Sequence, residues 1–181
     1  MVLKIDDSIS LESINEDHAQ SMFNLVDSNR PHLREWLPWV DHMQSVENFT
    51  DHIADCKKRE AQQTDYAFVI MLNNEMAGRI GIHYINNQNK IAAIGYWLGD
   101  GFQGKGIITR ACSLLVHHCF NVLDMHRVEI KCATENHKSR AIAEKLNFTK
   151  EGMLRQAELV NETFLDLYLY SMLKDEWKQG R

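Results

Sequence analysis

Apolar residues recur at helical spacing at Ala19, Met22, Phe23 and Val26, which predicts a helix from residue 16 to about residue 29, broken by Pro31. A second stripe, Val46, Phe49, Ile53 and Cys56, predicts another helix with Ser45 as its N-cap. The period then changes. DYAFVIML (65–72), MAGRIGIHYI (76–85) and KIAAIGYWL (90–98) are strand-like runs separated by the turn sequences NNE and NNQN, so the middle of the chain reads as a three-stranded antiparallel meander. Beyond a glycine-rich stretch, a helix is predicted over about 107–123, with Ala111, Leu114, Leu115, His118 and Val122 on its inner side. In HRVEIKCAT (126–134), Val128, Ile130 and Cys132 alternate with polar residues, as in a strand. Strand, glycine stretch, helix and strand in that order imply a crossover to a parallel neighbour. A shorter helix over about 138–146 and two strands, near 148–154 and 163–172, complete a mixed α/β order without repeats or low-complexity linkers.

With 181 residues, 44% of them hydrophobic, a single domain spanning 1–181 is expected. MVLKIDDS at the start lacks an apolar signal core, and AFVIML (67–72) is far too short to span a bilayer. A cytoplasmic location with no membrane partner is the resulting expectation. Cys56, Cys112, Cys119 and Cys132 include no C-x-x-C pair, which points to reduced, packed thiols. His117 and His118 are adjacent on one predicted helix and point in different directions, so no metal site is expected. The formal charge of −5 argues against nucleic acid as a direct partner and is compatible with a cationic small molecule or peptide terminus.

Four of the nine glycines fall in LGDGFQGKGIIT (98–109). Gly99, Gly101 and Gly104 spell G-x-G-x-x-G, but Asp124, at the distance of a ribose-binding acid, precedes the next strand instead of closing it. Residues 99–105 also spell G-x-x-x-x-G-K, with Gly106 where a P-loop needs Ser or Thr for Mg²⁺. What the position does offer is a run of main-chain amides, 103–109, between a strand end and a helix start. Such amides lie at the positive end of the helix dipole and suit an anion such as a pyrophosphate. Gly104 and Gly106 allow close approach, Lys105 and Arg110 add positive charge, and Thr109 offers a hydroxyl. An ordinary strand-to-helix turn is the alternative.

Gln103-Gly104-Lys105-Gly106, following a Y-W-L strand end, resembles the Q/R-x-x-G-x-G/A signature of the GNAT superfamily of N-acetyltransferases, with Ile108 where Gly or Ala is usual. TENHKSRAIAEKLNFTKEG (134–152) resembles the family's N-x-x-S…K-L-G-F region, with Asn147 in the place of Gly. EWLPW (35–39) and RQAELVNETFLDLYLYSML (155–173) are similar to segments of its ribosomal-protein-serine acetyltransferase branch. The resemblance implies a mixed, mostly antiparallel central sheet with a splayed parallel strand pair and flanking helices. It implies acetyl-coenzyme A as cosubstrate, held by Gln103, Gly104, Lys105, Gly106, Ile107, Ile108 and Thr109, with Asn136 on the pantetheine arm and the Leu98 amide polarising the acetyl carbonyl.

On the same resemblance, Glu158 in the RQAE stretch between the last two strands is the base that deprotonates the acceptor, and Ser139 protonates the departing thiolate. Tyr168 or Tyr170 is the alternative proton donor. Trp36 and Trp39 form an acceptor wall or lid, or else pack in the core. The acceptor implied is the N-terminal amine of a protein, such as a ribosomal protein. An α-amino group, with pKa roughly 7.7–8.0, asks less of one carboxylate than a lysine at roughly 10.4. A polyamine, an aminoglycoside, another small amine, or a non-catalytic acetyl-coenzyme A sensor are the alternatives. A homodimer or higher homo-oligomer stays open.

Overall fold

Ser45 and Asn48 close a capping box ahead of α3 (Val46–Ala61), and the stripe Phe49, Ile53 and Cys56 is buried as its spacing predicts. The computed structural model describes residues 1–177. The first predicted helix opens with a 3₁₀ turn at Glu16–His18 and continues as α1 (Ala19–Ser28). Pro31 does interrupt it, yet falls in the first turn of a short α2 (Arg30–Leu33), where a missing amide proton is tolerated.

Among the described residues, eight strands form one sheet in the order β1-β2-β3-β4-β5-β6-β8-β7. The expected meander is present as β3 (Tyr66–Leu72), β4 (Glu75–Asn86) and β5 (Ile91–Leu98). α4 (Ile107–Asn121) then crosses to β6 (Arg127–Ala133), the parallel neighbour of β5, and α5 (His137–Lys145) leads to β7 (Thr149–Val160) and β8 (Thr163–Leu173). Every other pairing is antiparallel. Two strands at the start of the chain, β1 (Val2–Lys4) and β2 (Ile9–Ser13), have too few alternating positions to announce themselves. The turn between them is shaped by Asp6 Oδ1, which accepts the amides of Ser8 and Ile9.

Successive β3 residues face opposite layers. Phe68 and Ile70 join Ile80, Ile82, Ile94 and the inner face of α4, whereas Ala67 and Val69 join Met22, Val26, Phe49 and Ile53 beneath α1 and α3. The buried face of α4 differs from the predicted one. Ile107, Ile108, Ala111, Cys112, Leu115, Val116, Cys119 and Phe120 are buried, Leu114 and His118 are half-buried, and Val122 is 64% exposed. Val122 lies past the last turn of the helix, at the C-cap. All four cysteines are free and buried. Among the described residues, no helix is long and apolar enough to cross a membrane.

β5 is held against β4 as far as the pair Gly78 and Leu98. A Cβ at position 78 would stand 2.2 Å from the Trp97 carbonyl oxygen and 2.9 Å from the Leu98 Cα, so only glycine fits. Gly78→Ala is expected to cost about 1–3 kcal/mol, as overpacking does. At roughly 2–4 °C per kcal/mol, thermal unfolding should report a clear drop in Tm. An unchanged Tm would show that β5 can shift freely at this point.

Candidate active site

β5 and β6 pair only through Ile91, Ala92 and Ala93 with Arg127, Val128 and Glu129. β5 then follows β4 to Leu98, and β6 follows β8 to Ala133, so a gap opens between the two parallel strands. The Gly99 amide donates to the Ala77 carbonyl at 2.9 Å, toward β4. Amides alternate along an extended strand, so the Leu98 amide points the other way, into the gap.

The glycine stretch starts at the open end of this gap. Gly99 precedes a 3₁₀ turn, Asp100–Phe102, and Gly106 is the residue ahead of α4. Gly104 and Gly106 hold φ at 74° and 69°, the left-handed region that glycine enters freely, and a Cβ on either would meet open space. Ile107 and Ile108 bury their side chains in the core, at 1% and 7% exposure, so only their amides are offered to a ligand. With Thr109 they form the first turn of α4, where amides have no intrahelical acceptor. Lys105 Nζ lies 5.6 Å over the Phe102 ring. The Arg110 guanidinium is drawn instead to Asp6 and the Lys105 carbonyl. Gln103 is bridged by its side chain: the amide nitrogen bonds His32 Nε2 and the oxygen accepts from Lys138 Nζ. Asp100 is likewise tied to α1 and α2, its amide donating to Asn29 Oδ1 at 2.8 Å.

A second helix N-terminus faces the same opening from β6. Asn136 caps α5, its Oδ1 accepting the Ser139 amide at 3.0 Å. The Ser139 hydroxyl lies 3.0 Å from the Tyr96 hydroxyl, which also reaches the Ser139 carbonyl at 3.2 Å. Burial keeps the Tyr96 phenol protonated, with its pKa well above the ordinary value. Cys132 borders Ser139 as well, and burial pushes its thiol up to about 11. Tyr170 is 1% exposed and donates to Glu144 Oε1, while the Tyr168 ring carries Arg140 and Lys150 over its face at 5.1 and 4.1 Å.

Beyond β6 and β8, Glu158 lies within β7, opposite Leu165, and not in a loop between strands. It is half-buried, its carboxylate has no hydrogen-bond or ion-pair partner among the described residues, and desolvation raises its pKa above the ordinary glutamate value. Trp39 tilts against buried Trp97 with ring centroids 5.9 Å apart and packs under α1 and α3. Trp36 is half-buried and joins neither core cluster. The hairpin turn reaches the same segment: Asn161 Nδ2 donates to the Arg34 carbonyl at 2.6 Å.

This arrangement has known counterparts. The acetyltransferase (GNAT) domain family matches residues 9–149. The ribosomal-protein-serine acetyltransferase of Escherichia coli K12 is 32% identical over 173 residues, covering 96% of this chain and 97% of its own length. The putative ribosomal N-acetyltransferase YdaF of Bacillus subtilis is 32% identical over 176 residues, covering 97% and 96%. A solved structure of RimL, a ribosomal L7/L12 alpha-N-protein acetyltransferase in complex with coenzyme A, superposes with a TM-score of 0.93 at 31% identity, covering 97% of this chain and 99% of the other. The chain belongs to the GNAT acetyltransferases.

Within this acetyltransferase, the residues expected from the sequence divide by location. Leu98, residues 103–109, Asn136 and Ser139 gather where β5 and β6 diverge, Glu158 stands on the far hairpin, and Trp39 is largely a packing residue. Both departures from the family motif have a physical reading. Asn147 adopts φ 60°, which asparagine tolerates better than most residues. Ile108 fills core space and leaves only its amide to the loop. In the sequence Tyr96 reads as one more apolar strand residue, and nothing local links His32 to Gln103. Asn136→Ala is expected to lose the α5 cap, at about 1 kcal/mol. Faster hydrogen exchange at the Ser139 amide and a slightly lower Tm should accompany it, and unchanged exchange would contradict the capping role.

Proposed function

We propose that this acetyltransferase works as a single unit in the cytoplasm, moving acetyl from acetyl-coenzyme A to the N-terminal amine of a protein, a ribosomal protein among the candidates. The support is threefold: the opening between β5 and β6, the two helix N-termini beside it, and the whole-length likeness to enzymes named for ribosomal proteins. The observation that carries the amine chemistry is Glu158, a half-buried carboxylate with no partner among the described residues and a raised pKa.

The amides of residues 103–109 receive the pyrophosphate of the cosubstrate, and the main chain of β5 along the gap bonds its pantetheine arm. Asn136 lies beside that arm. The neutral amine attacks the acetyl carbon, whose oxygen takes up negative charge facing the Leu98 amide. Glu158 accepts the proton that the attacking nitrogen sheds. As the carbon–sulfur bond breaks, Ser139 gives its hydroxyl proton to the departing thiolate, leaving coenzyme A as a thiol; water returns a proton to the serine oxygen, and Glu158 releases the amine proton to solvent. Trp36, half-buried near the hairpin turn, borders the acceptor entrance. An α-amino group, roughly 7.7–8.0, leaves an appreciable neutral fraction near neutrality, whereas a lysine at roughly 10.4 does not.

Two measurements test this reading. Calorimetric titration with acetyl-coenzyme A should show binding to the wild type that Gly104→Asp and Gly106→Asp abolish, since each places a strained carboxylate where phosphate charge belongs. Retained binding in both variants would move the cosubstrate elsewhere. Mass spectrometry on a mixture of a peptide with an N-terminal serine, the same peptide blocked at its N-terminus but carrying lysine, and spermidine should show acetylation of the free N-terminus first. Preferred acetylation of spermidine would establish the small-amine alternative.

A further inference from the structure

After a one-residue irregularity between Lys150 and Gly152, β7 and β8 keep one register from Gly152 opposite Leu169 to Leu154 opposite Leu167, and the next recorded pair is Glu158 opposite Leu165. Four steps along β7 are matched by two along β8, so two extra residues are absorbed in the segment 155–157. In an unbroken ladder Gln156 would face Leu165, and Glu158 would stand two pairs farther out, opposite Thr163. At about 3.4 Å per residue, the bulge retracts Glu158 by roughly 7 Å toward the base of the hairpin. A bulge of this kind re-aims a side chain, and it persists only if something holds it.

Asp166 is what faces the bulge. Its Oδ1 accepts the Gln156 amide at 2.7 Å, and Gln156 sits at φ 50°, a conformation that costs energy for a residue without glycine's freedom. The Asp166 carbonyl accepts the Thr134 amide at 3.0 Å, which ties the same residue to the end of β6, two positions before Asn136. Asp166 thus joins the retracted segment of β7 to the strand end that carries the α5 N-terminus. Arg155, Gln156 and Asp166 line a cavity at this point.

We propose that Asp166 is a positioning residue for acetyl transfer: by holding the 155–157 bulge through the Gln156 amide, it fixes where Glu158 stands along β7, opposite Leu165. This rests on Glu158 being the base. An asparagine at 166 keeps an oxygen for the Gln156 amide, and an alanine does not. The bulge in Asp166→Ala loses its tether, and Glu158 moves outward into water.

Asp166→Ala, Asp166→Asn and Glu158→Gln are compared with the wild type for acetylation of a peptide with an N-terminal serine, for acetyl-coenzyme A affinity, and for the pH dependence of kcat/KM. Asp166→Ala should lose at least about tenfold in kcat/KM for the peptide, a modest share of what a general base supplies. Its acetyl-coenzyme A affinity should stay at the wild-type level, and the acid limb of its profile should move down toward the ordinary glutamate range as Glu158 regains water. Asp166→Asn should keep most of the rate and the wild-type limb. Should Asp166→Ala fail to fold, Asp166→Leu, which fills the space without an acceptor, gives the same comparison. Full activity in Asp166→Ala, or equal losses in the alanine and asparagine variants with the limb unmoved, would overturn the positioning role while an inactive Glu158→Gln leaves the base in place. Wild-type activity in Glu158→Gln would remove the base itself, and the inference with it.

Discussion

Residues 91–93 of β5 bond to β6 and residues 94–98 do not, because each strand is drawn away by a longer partnership on its outer side. That unfinished pairing organises everything around it. Main-chain donors and acceptors of β5 face the gap, and such groups in a partly buried place require partners. An extended ligand with amide groups of its own can bond there as an added strand does. Since α4 begins shortly after β5 and α5 shortly after β6, the divergence also delivers two helix N-termini to the open end. One geometric fault in the sheet therefore yields a gap with two helix N-termini at its open end.

The surrounding contacts tie the glycine stretch to α1, α2 and α5, and the β7–β8 turn to the segment after α2. Asn29 and His32 hold Asp100 and Gln103 at the start of the glycine stretch, Lys138 of α5 reaches the same glutamine, and Asn161 at the hairpin turn bonds the Arg34 carbonyl. Elements far apart in sequence meet at one edge through side-chain hydrogen bonds, two of them to main-chain groups and two between side chains. On the outer side of the gap, Arg127 joins Glu129 and Glu151, and Ser171 donates to Glu151, which binds β6, β8 and β7 together as a unit.

Much of this was legible in the sequence wherever one physical signal ran long enough. The α3 stripe, the meander with its asparagine turns, and the glycine stretch between strand and helix all met that condition. What escaped had a local cause. β1 and β2 are three and five residues long, too short for a period to emerge. The two irregularities in β7 break its alternation, so its second half read as loop and Glu158 seemed to lie between strands. α4 is buried over a wider arc than one stripe, which misplaced Val122. Tyr96 beside Ser139 and His32 beside Gln103 are consequences of tertiary packing, with sequence separations of 43 and 71 residues.

In the proposed direct transfer the amine proton goes to one carboxylate, Glu158, which has no ion-pair partner among the described residues. Desolvation without an ion-pair partner raises the Glu158 pKa above the ordinary value, so its basic form is lost at a higher pH than for a solvated glutamate. The pH dependence of kcat/KM toward a peptide with an N-terminal serine, in wild type and Glu158→Gln, addresses this claim most directly. A rate lower by about a hundredfold in the variant, with acetyl-coenzyme A affinity kept and the acid limb above the ordinary glutamate range abolished, is the expected result. A variant with the wild-type rate and an unchanged limb would contradict it and assign the proton to another group.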